Sequence, residues 1–207
     1  MSGIGPLVFD PANPVKADTH WHAALGVYEC DHWMGDDTGT GIWQWPNATI
    51  EGHPARADDP NRYAGLHSHD DGVIHMEPAT PDEAGANATL RKYFEFGGWH
   101  VAADGFDFLD TQVKNGDDCH GVPGTLSWKV ARWDGTLDPQ HYKVESGDPA
   151  DYKLYNGDVI VVAFLPAGRD IASIGDPPSL QYLARALGLP PSPTTPPVHT
   201  AAAYSSG

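Results

Sequence analysis

The chain has 207 residues, with 28 acidic against 12 basic side chains and a formal charge of −16. That length allows one domain with a substantial hydrophobic core, and the charge repels nucleic acid and anionic membrane surfaces while raising the local concentration of cations. No run of about 20 apolar residues is present, and the start MSGIGPLVFDPANPVK has neither the basic nor the apolar region of an export signal. Nucleic-acid binding and direct membrane insertion of this chain are therefore not expected.

In chain order, residues 1–17 read as an extended N-terminal segment, 18–188 as a histidine-rich α+β domain and 189–207 as a disordered Pro-rich tail. Residues 20–32 read as a strand, with Trp21, Ala23, Leu25 and Val27 on a core face and His20, His22, Tyr28 and Cys30 on the other. Residues 34–64, rich in Gly, Asp and Pro, form a long loop in which GIWQWP and NATIEG suit a short hairpin. Loops of that length usually serve a purpose. Trp43 and Trp45 either line a pocket mouth or pack onto the sheet.

GLHSHDDGVIHMEP then reads as a hairpin with Asp70-Asp71-Gly72 as a three-residue loop and Gly72 left-handed. Thr89 caps a short central helix in which Leu90, Tyr93 and Phe94 share a stripe, and Gly97-Gly98 ends it. Residues 101–124 read as loop. LSWKVARWDG reads as a strand, and Asn156-Gly157-Asp158 as a turn feeding a buried strand over Val159–Phe164. PPSLQYLARALG offers a C-terminal helix. The order strand, hairpin, helix, strand, strand is the plan of a β-grasp-like mixed sheet.

Five of the eleven histidines fall into two groups that each open with H-x-H: His20 and His22, then His67, His69 and His75. Residues two apart on a strand share a face, and neutral imidazole is the commonest protein metal ligand. In the hairpin register His67 faces His75 and His69 faces Val73, so the three imidazoles share one face while Leu66, Ile74 and Met76 take the other. These three as a base, completed by His20 and His22, would give the nitrogen ligands of one copper or zinc ion. The bland alternative is a hydrogen-bonded histidine cluster without metal. His32 shares the parity of His20, but DHWMGDD looks like a turn. His53, His100, His120, His141 and His199 have no partner at ligand spacing and read as surface residues. Asp70 and Asp71 read as turn formers, and Glu77 as a ligand or as a partner that orients a histidine.

Cys30 and Cys119 are too far apart for a C-x-x-C site. A disulfide, free structural thiols, and a Cys30 thiolate on the metal all fit the residues alone. Other catalytic patterns are weak. Ser68 lies between His67 and His69, facing the opposite side of the strand, and no GxSxG, P-loop or GxGxxG is present.

The segments HWHAALGVYEC, GLHSHDDGVIHMEP, NATLRKYFEFGGW and LYNGDVIVVAFLP together resemble a family of histidine-rich bacterial proteins common in actinobacteria. The likeness spans roughly residues 18–180. Those proteins often carry a membrane anchor or export signal before the first H-x-H, and their second group typically reads H-T-H-D followed by G-x-I-H. The resemblance implies an extracytoplasmic setting, favours the disulfide, and supports His20, His22, His67, His69 and His75 as the shared polar set. It implies no particular activity and identifies no protein partner. The sequence thus points to a metal-binding protein that captures, buffers or passes on copper or zinc. The alternative is a mononuclear metal-dependent hydrolase or oxidoreductase using the same histidines, with Glu77 or Asp70 as general base.

Overall fold

The computed structural model describes Val15 and residues 19–35, 40–133 and 142–188. The extended N-terminal segment, except Val15, and the Pro-rich tail lie outside the described residues, as do His141 and His199. In chain order the elements are β1 (Trp21–Glu29), β2 (His32–Trp33), β3 (Thr49–Ile50), β4 (His53–Pro54), β5 (Leu66–His67), β6 (Val73–Met76), α1 (Leu90–Gly97), β7 (His100–Ala102), β8 (Gly105–Phe108), β9 (Thr111–Lys114), β10 (Gly124–Arg132), β11 (Lys143–Glu145), β12 (Asp158–Pro166) and α2 (Leu180–Ala186).

The fold is a strand-rich α+β arrangement around one mixed sheet. The sheet runs β11-β10-β12-β1-β6-β5, with β2 paired to β1. Parallel pairing of β1 with β12 places both at the centre, and every other pairing in it is antiparallel. A parallel pair buried on both faces favours continuous apolar runs over alternation. The run Val159–Leu165 on β12 shows this, since every one of its side chains is buried.

Beneath one face, Ala23, Leu25, Val27, Leu66, Ile74, Met76, Ile160 and Val162 pack with Tyr93, Phe94 and Phe96 of α1. Thr89 Oγ1 accepts the Lys92 amide at the start of α1, and Gly98, at φ +82, closes its end; both caps are as the sequence indicates. The other face is covered as well, contrary to a simple core-and-ligand division of β1. Ala24 and Val73 pack with Leu180, Leu183 and Ala184 of α2, and Tyr28 packs with Val161, Ile171 and Ile174. Gly26 makes the close approach possible, because a Cβ there would lie 2.5 Å from Pro177 and 2.5 Å from Trp33. Only the beginning of β1 leaves its second face to the histidines.

Two further expectations are revised, and of the two readings of Trp43 and Trp45 the packed one holds. Residues 101–124 are not loop: β7, β8 and β9 form an antiparallel meander. Val101, Phe106, Phe108 and Val113 turn into the core, but strands of three or four residues between acidic turns give too little alternation to read. Within 34–64 the hairpin is confined to β3 and β4, and GIWQWP is not part of it. Its turn residues Glu51 and Gly52 both have positive φ, 52° and 90°, as a two-residue type I′ turn requires. Trp43 and Trp45 are core residues, not a pocket rim. Trp43 meets Phe108 edge-on at 5.0 Å and donates to Tyr93 Oη, while Trp45 donates to the Ala55 carbonyl.

Cys30 and Cys119 form a disulfide, which rules out both the free thiols and the metal thiolate. It closes a separation of 89 residues, worth roughly 4–5 kcal/mol in the chain-entropy model.

Candidate metal centre

The pairing register of three strands assembles the histidines. His22 on β1 is opposite His75 on β6, and His75 is opposite His67 on β5, so three imidazoles stand in one row across the sheet. One step outward, beyond the Trp21–Met76 pair, His20 meets Glu77, with its Nε2 2.8 Å from Glu77 Oε1. One step inward, past the end of β5, His69 lies against both His67 and His75, with ring centroids 4.6 Å from each. The stacked rings of His67 and His75 are 5.6 Å apart and within 7° of parallel.

His53, read from sequence as an isolated surface residue, joins this patch. The β3–β4 hairpin carries it to 6.4 Å from His67, centroid to centroid, with Nδ1 3.8 Å from Glu77 Oε2. No spacing in the sequence marks His53, because its neighbours in the patch come from other strands. His32 stays outside, its Nδ1 3.2 Å from Asp31 Oδ1, and Asp31 also takes His120 at 3.2 Å.

Among the described residues, two sets could hold a metal ion. His20, His22 and His75 form one, and His53, His67 and Glu77 the other; within each set the ligand atoms lie within 4.8 Å of one another. Two nitrogens on one tetrahedral zinc sit roughly 3.3 Å apart, so closing on an ion asks for about 1.5 Å of side-chain movement at most. The five histidines singled out by sequence are therefore divided: three in the first set and His67 in the second. His69 is tied to the second by its Nε2, 2.9 Å from His67 Nε2.

Hydrogen bonds orient the inner rings. His67 Nδ1 donates to the Ala64 carbonyl at 2.6 Å, leaving the Nε2 lone pair toward His69. His75 Nε2 donates to Asp71 Oδ2 at 3.2 Å, and its Nδ1 is buried with no hydrogen-bond partner. A histidine that gives one N–H to a carboxylate or carbonyl and presents the other nitrogen bare has the arrangement of a metal ligand. Asp71 is thus more than a turn former: Oδ1 accepts the Val73 amide while Oδ2 holds His75. Burial opposes its ionisation, but the bonds from His75 and the backbone outweigh burial and hold its carboxyl below the ordinary value.

His22 and His67 are neutral at pH 7. Burial, then repulsion from His75 and His20, lowers His22 to about 4. Burial is also the main cause at His67, lowered to about 3 against the favourable Ala64 bond, and at His69, which is lowered too. Neutral rings offer lone pairs to a cation without first losing a proton.

The hairpin is braced from below. Trp43 Nε1 donates to Tyr93 Oη at 3.2 Å, Tyr93 Oη donates to Ser68 Oγ at 2.7 Å, and Ser68 Oγ donates to the Val73 carbonyl at 2.7 Å. Ser68 is committed to this chain, in keeping with its reading as no nucleophile. From the long loop, the Trp45 amide donates to Asp70 Oδ1 at 3.1 Å.

No protein-family model matches the chain, and no curated protein or solved structure matches it. Among the described residues, no helix is long and apolar enough to cross a membrane.

Proposed function

We propose that this protein binds copper or zinc through the patch formed by His20, His22, His67, His69 and His75, and that it captures, buffers or passes on the ion. The observation that carries this reading is His75, whose ring lies beside those of His20 and His22 with Nδ1 buried and unpartnered while Asp71 fixes its other nitrogen. A buried polar atom without a partner costs roughly 1–3 kcal/mol, and a bound cation removes that cost. The lowered pKa values of His22 and His67 and the charge of −16 act in the same direction. Imidazole suits both metals, and the Irving–Williams order favours copper where both are present.

The sheet is read as β-grasp-like because β1 and β12 lie parallel at its centre with β6 and β10 antiparallel on either side. The disulfide supports the oxidising, extracytoplasmic setting that the resemblance to histidine-rich actinobacterial proteins implies.

A second reading, a metal-dependent hydrolase or oxidoreductase, is favoured by ligand number. Each set supplies three ligands, and three protein ligands leave a coordination position for water or oxygen. Pulsed EPR of the copper-loaded protein separates the two readings: an exchangeable bound water supports the enzyme, a saturated coordination sphere the carrier.

Elemental analysis of untagged protein and of a His67→Ala/His69→Ala/His75→Ala variant tests metal binding itself. Copper or zinc should copurify with the wild type and be lost from the variant. If the wild type holds no metal and a chelator leaves its stability unchanged, the patch is a hydrogen-bonded histidine cluster and the proposal fails.

A further inference from the structure

The position of Glu77 adds a second step, which rests on the metal-binding reading above. Its carboxylate reaches a histidine of each ligand set with a different oxygen: Oε1 lies 2.8 Å from His20 Nε2 and Oε2 3.8 Å from His53 Nδ1. The sets are otherwise made of different residues, His20, His22 and His75 against His53, His67 and Glu77. They meet where His75 and His67 stack across the β5–β6 pair.

One ion does not account for this arrangement. A tetrahedral ion takes about four ligands, whereas the patch presents six histidines and a carboxylate. His53 and His20 reach it from separate elements, on opposite oxygens of the same carboxylate. We propose that the patch is a two-ion centre, one ion per set, with Glu77 bridging them through its two oxygens. Carboxylate oxygens and imidazole nitrogens together suit zinc or copper(II), and a pair of close ions is an arrangement used to stabilise the attacking and leaving oxygens in displacement at a substrate such as a phosphate ester. His69, hydrogen-bonded to His67 Nε2, is placed to move onto the second ion when that nitrogen is taken. The two rim histidines are solvent-accessible, His20 at 64% and His53 at 46% of the side chain, so both positions can be filled without opening the core.

The test uses the full chain stripped with a chelator, titrated with Zn2+ by calorimetry, desalted and then analysed for metal. The wild type should retain two equivalents. His53→Ala should retain one, and Glu77→Gln should weaken the second equivalent at least tenfold. The same protein loaded with two equivalents of Cu2+ should show spin coupling between the ions by EPR, absent from Glu77→Gln. One equivalent in the wild type overturns the two-ion centre and leaves metal binding standing. None overturns both. Two equivalents that survive unchanged in Glu77→Gln, with uncoupled copper signals, overturn the bridge. Circular dichroism of the two variants, both altered at exposed or half-buried positions, confirms that a lost equivalent is not a lost fold.

Discussion

Two polar clusters flank the β5–β6 hairpin and solve opposite problems. Around Arg56 every buried charge has its partner. The guanidinium takes Asp58 through two nitrogens at 2.8 and 2.6 Å, reaches the buried Glu83 at 3.4 Å and lies 4.0 Å over the Phe96 ring, while Glu83 Oε2 accepts the Ala79 amide. The histidine patch, in contrast, gathers rings of one kind that repel one another once protonated, and leaves His75 Nδ1 buried without a partner. A cluster whose partners are all present holds the fold together. One that is short of a positive charge is arranged for something that arrives later.

The comparison breaks first at Arg56. If its cluster is structural, Arg56→Ala leaves the buried Glu83 with Arg62 alone, at 3.9 Å, and should cost about 3 kcal/mol, read as a fall in the urea midpoint, with metal content per folded molecule unchanged. A variant within 1 kcal/mol of wild type would put the cluster among surface pairs worth little.

Acid sharpens the contrast. His67 is held neutral in the fold, at about 3, against 6.5 in the unfolded chain, so between these values the unfolded state binds more protons. Stability is then complete above pH 6.5 and falls as pH drops, reaching a loss of about 2 kcal/mol from His67 alone at pH 5. His22, lowered to about 4, steepens the fall over the window from 6.5 to 4. Metal-free protein should show this in urea melts at pH 7, 6 and 5. A flat profile would mean that the inner rings are charged or solvated, which removes the contrast with Arg56. Added zinc should move the fall to lower pH, since bound metal competes with the protons.

Parts of this were legible in the sequence and parts were not, for identifiable reasons. The turn Asp70-Asp71-Gly72 fixes the pairing of His67 with His75, because a hairpin loop sets register locally. Gly72 does take a left-handed φ of 68°. The strand β12 and the caps of α1 are likewise written in short windows. What decides the patch is longer in range. Alignment of His22 with His75 depends on β1 pairing with β6 across some fifty residues of chain, and His53 arrives on a hairpin held at its end by the Trp45 bond to the Ala55 carbonyl. Periodicity reports which face a residue occupies and not which neighbour stands beside it. The second covered face of β1 was hidden for the same reason: Ala24, Gly26 and Tyr28 look exposed until the segment before α2 folds across them.

The smallest expected effect tests the most specific part of the site. Asn at position 71 keeps an oxygen for the Val73 amide, so Asp71→Asn should preserve the turn and change stability little. Its amide group then faces His75 Nε2 as a donor where the carboxylate was an acceptor. Two donors cannot share that contact, and the imidazole proton shifts to Nδ1, the nitrogen that the ion needs. Affinity for zinc should fall roughly 10–100-fold in a protein that folds as before. Asp71→Ala, which loses the turn contact as well, should lower both affinity and stability. Equal affinity in wild type and Asp71→Asn would show that His75 binds through Nε2, and that the carboxylate merely closes the turn.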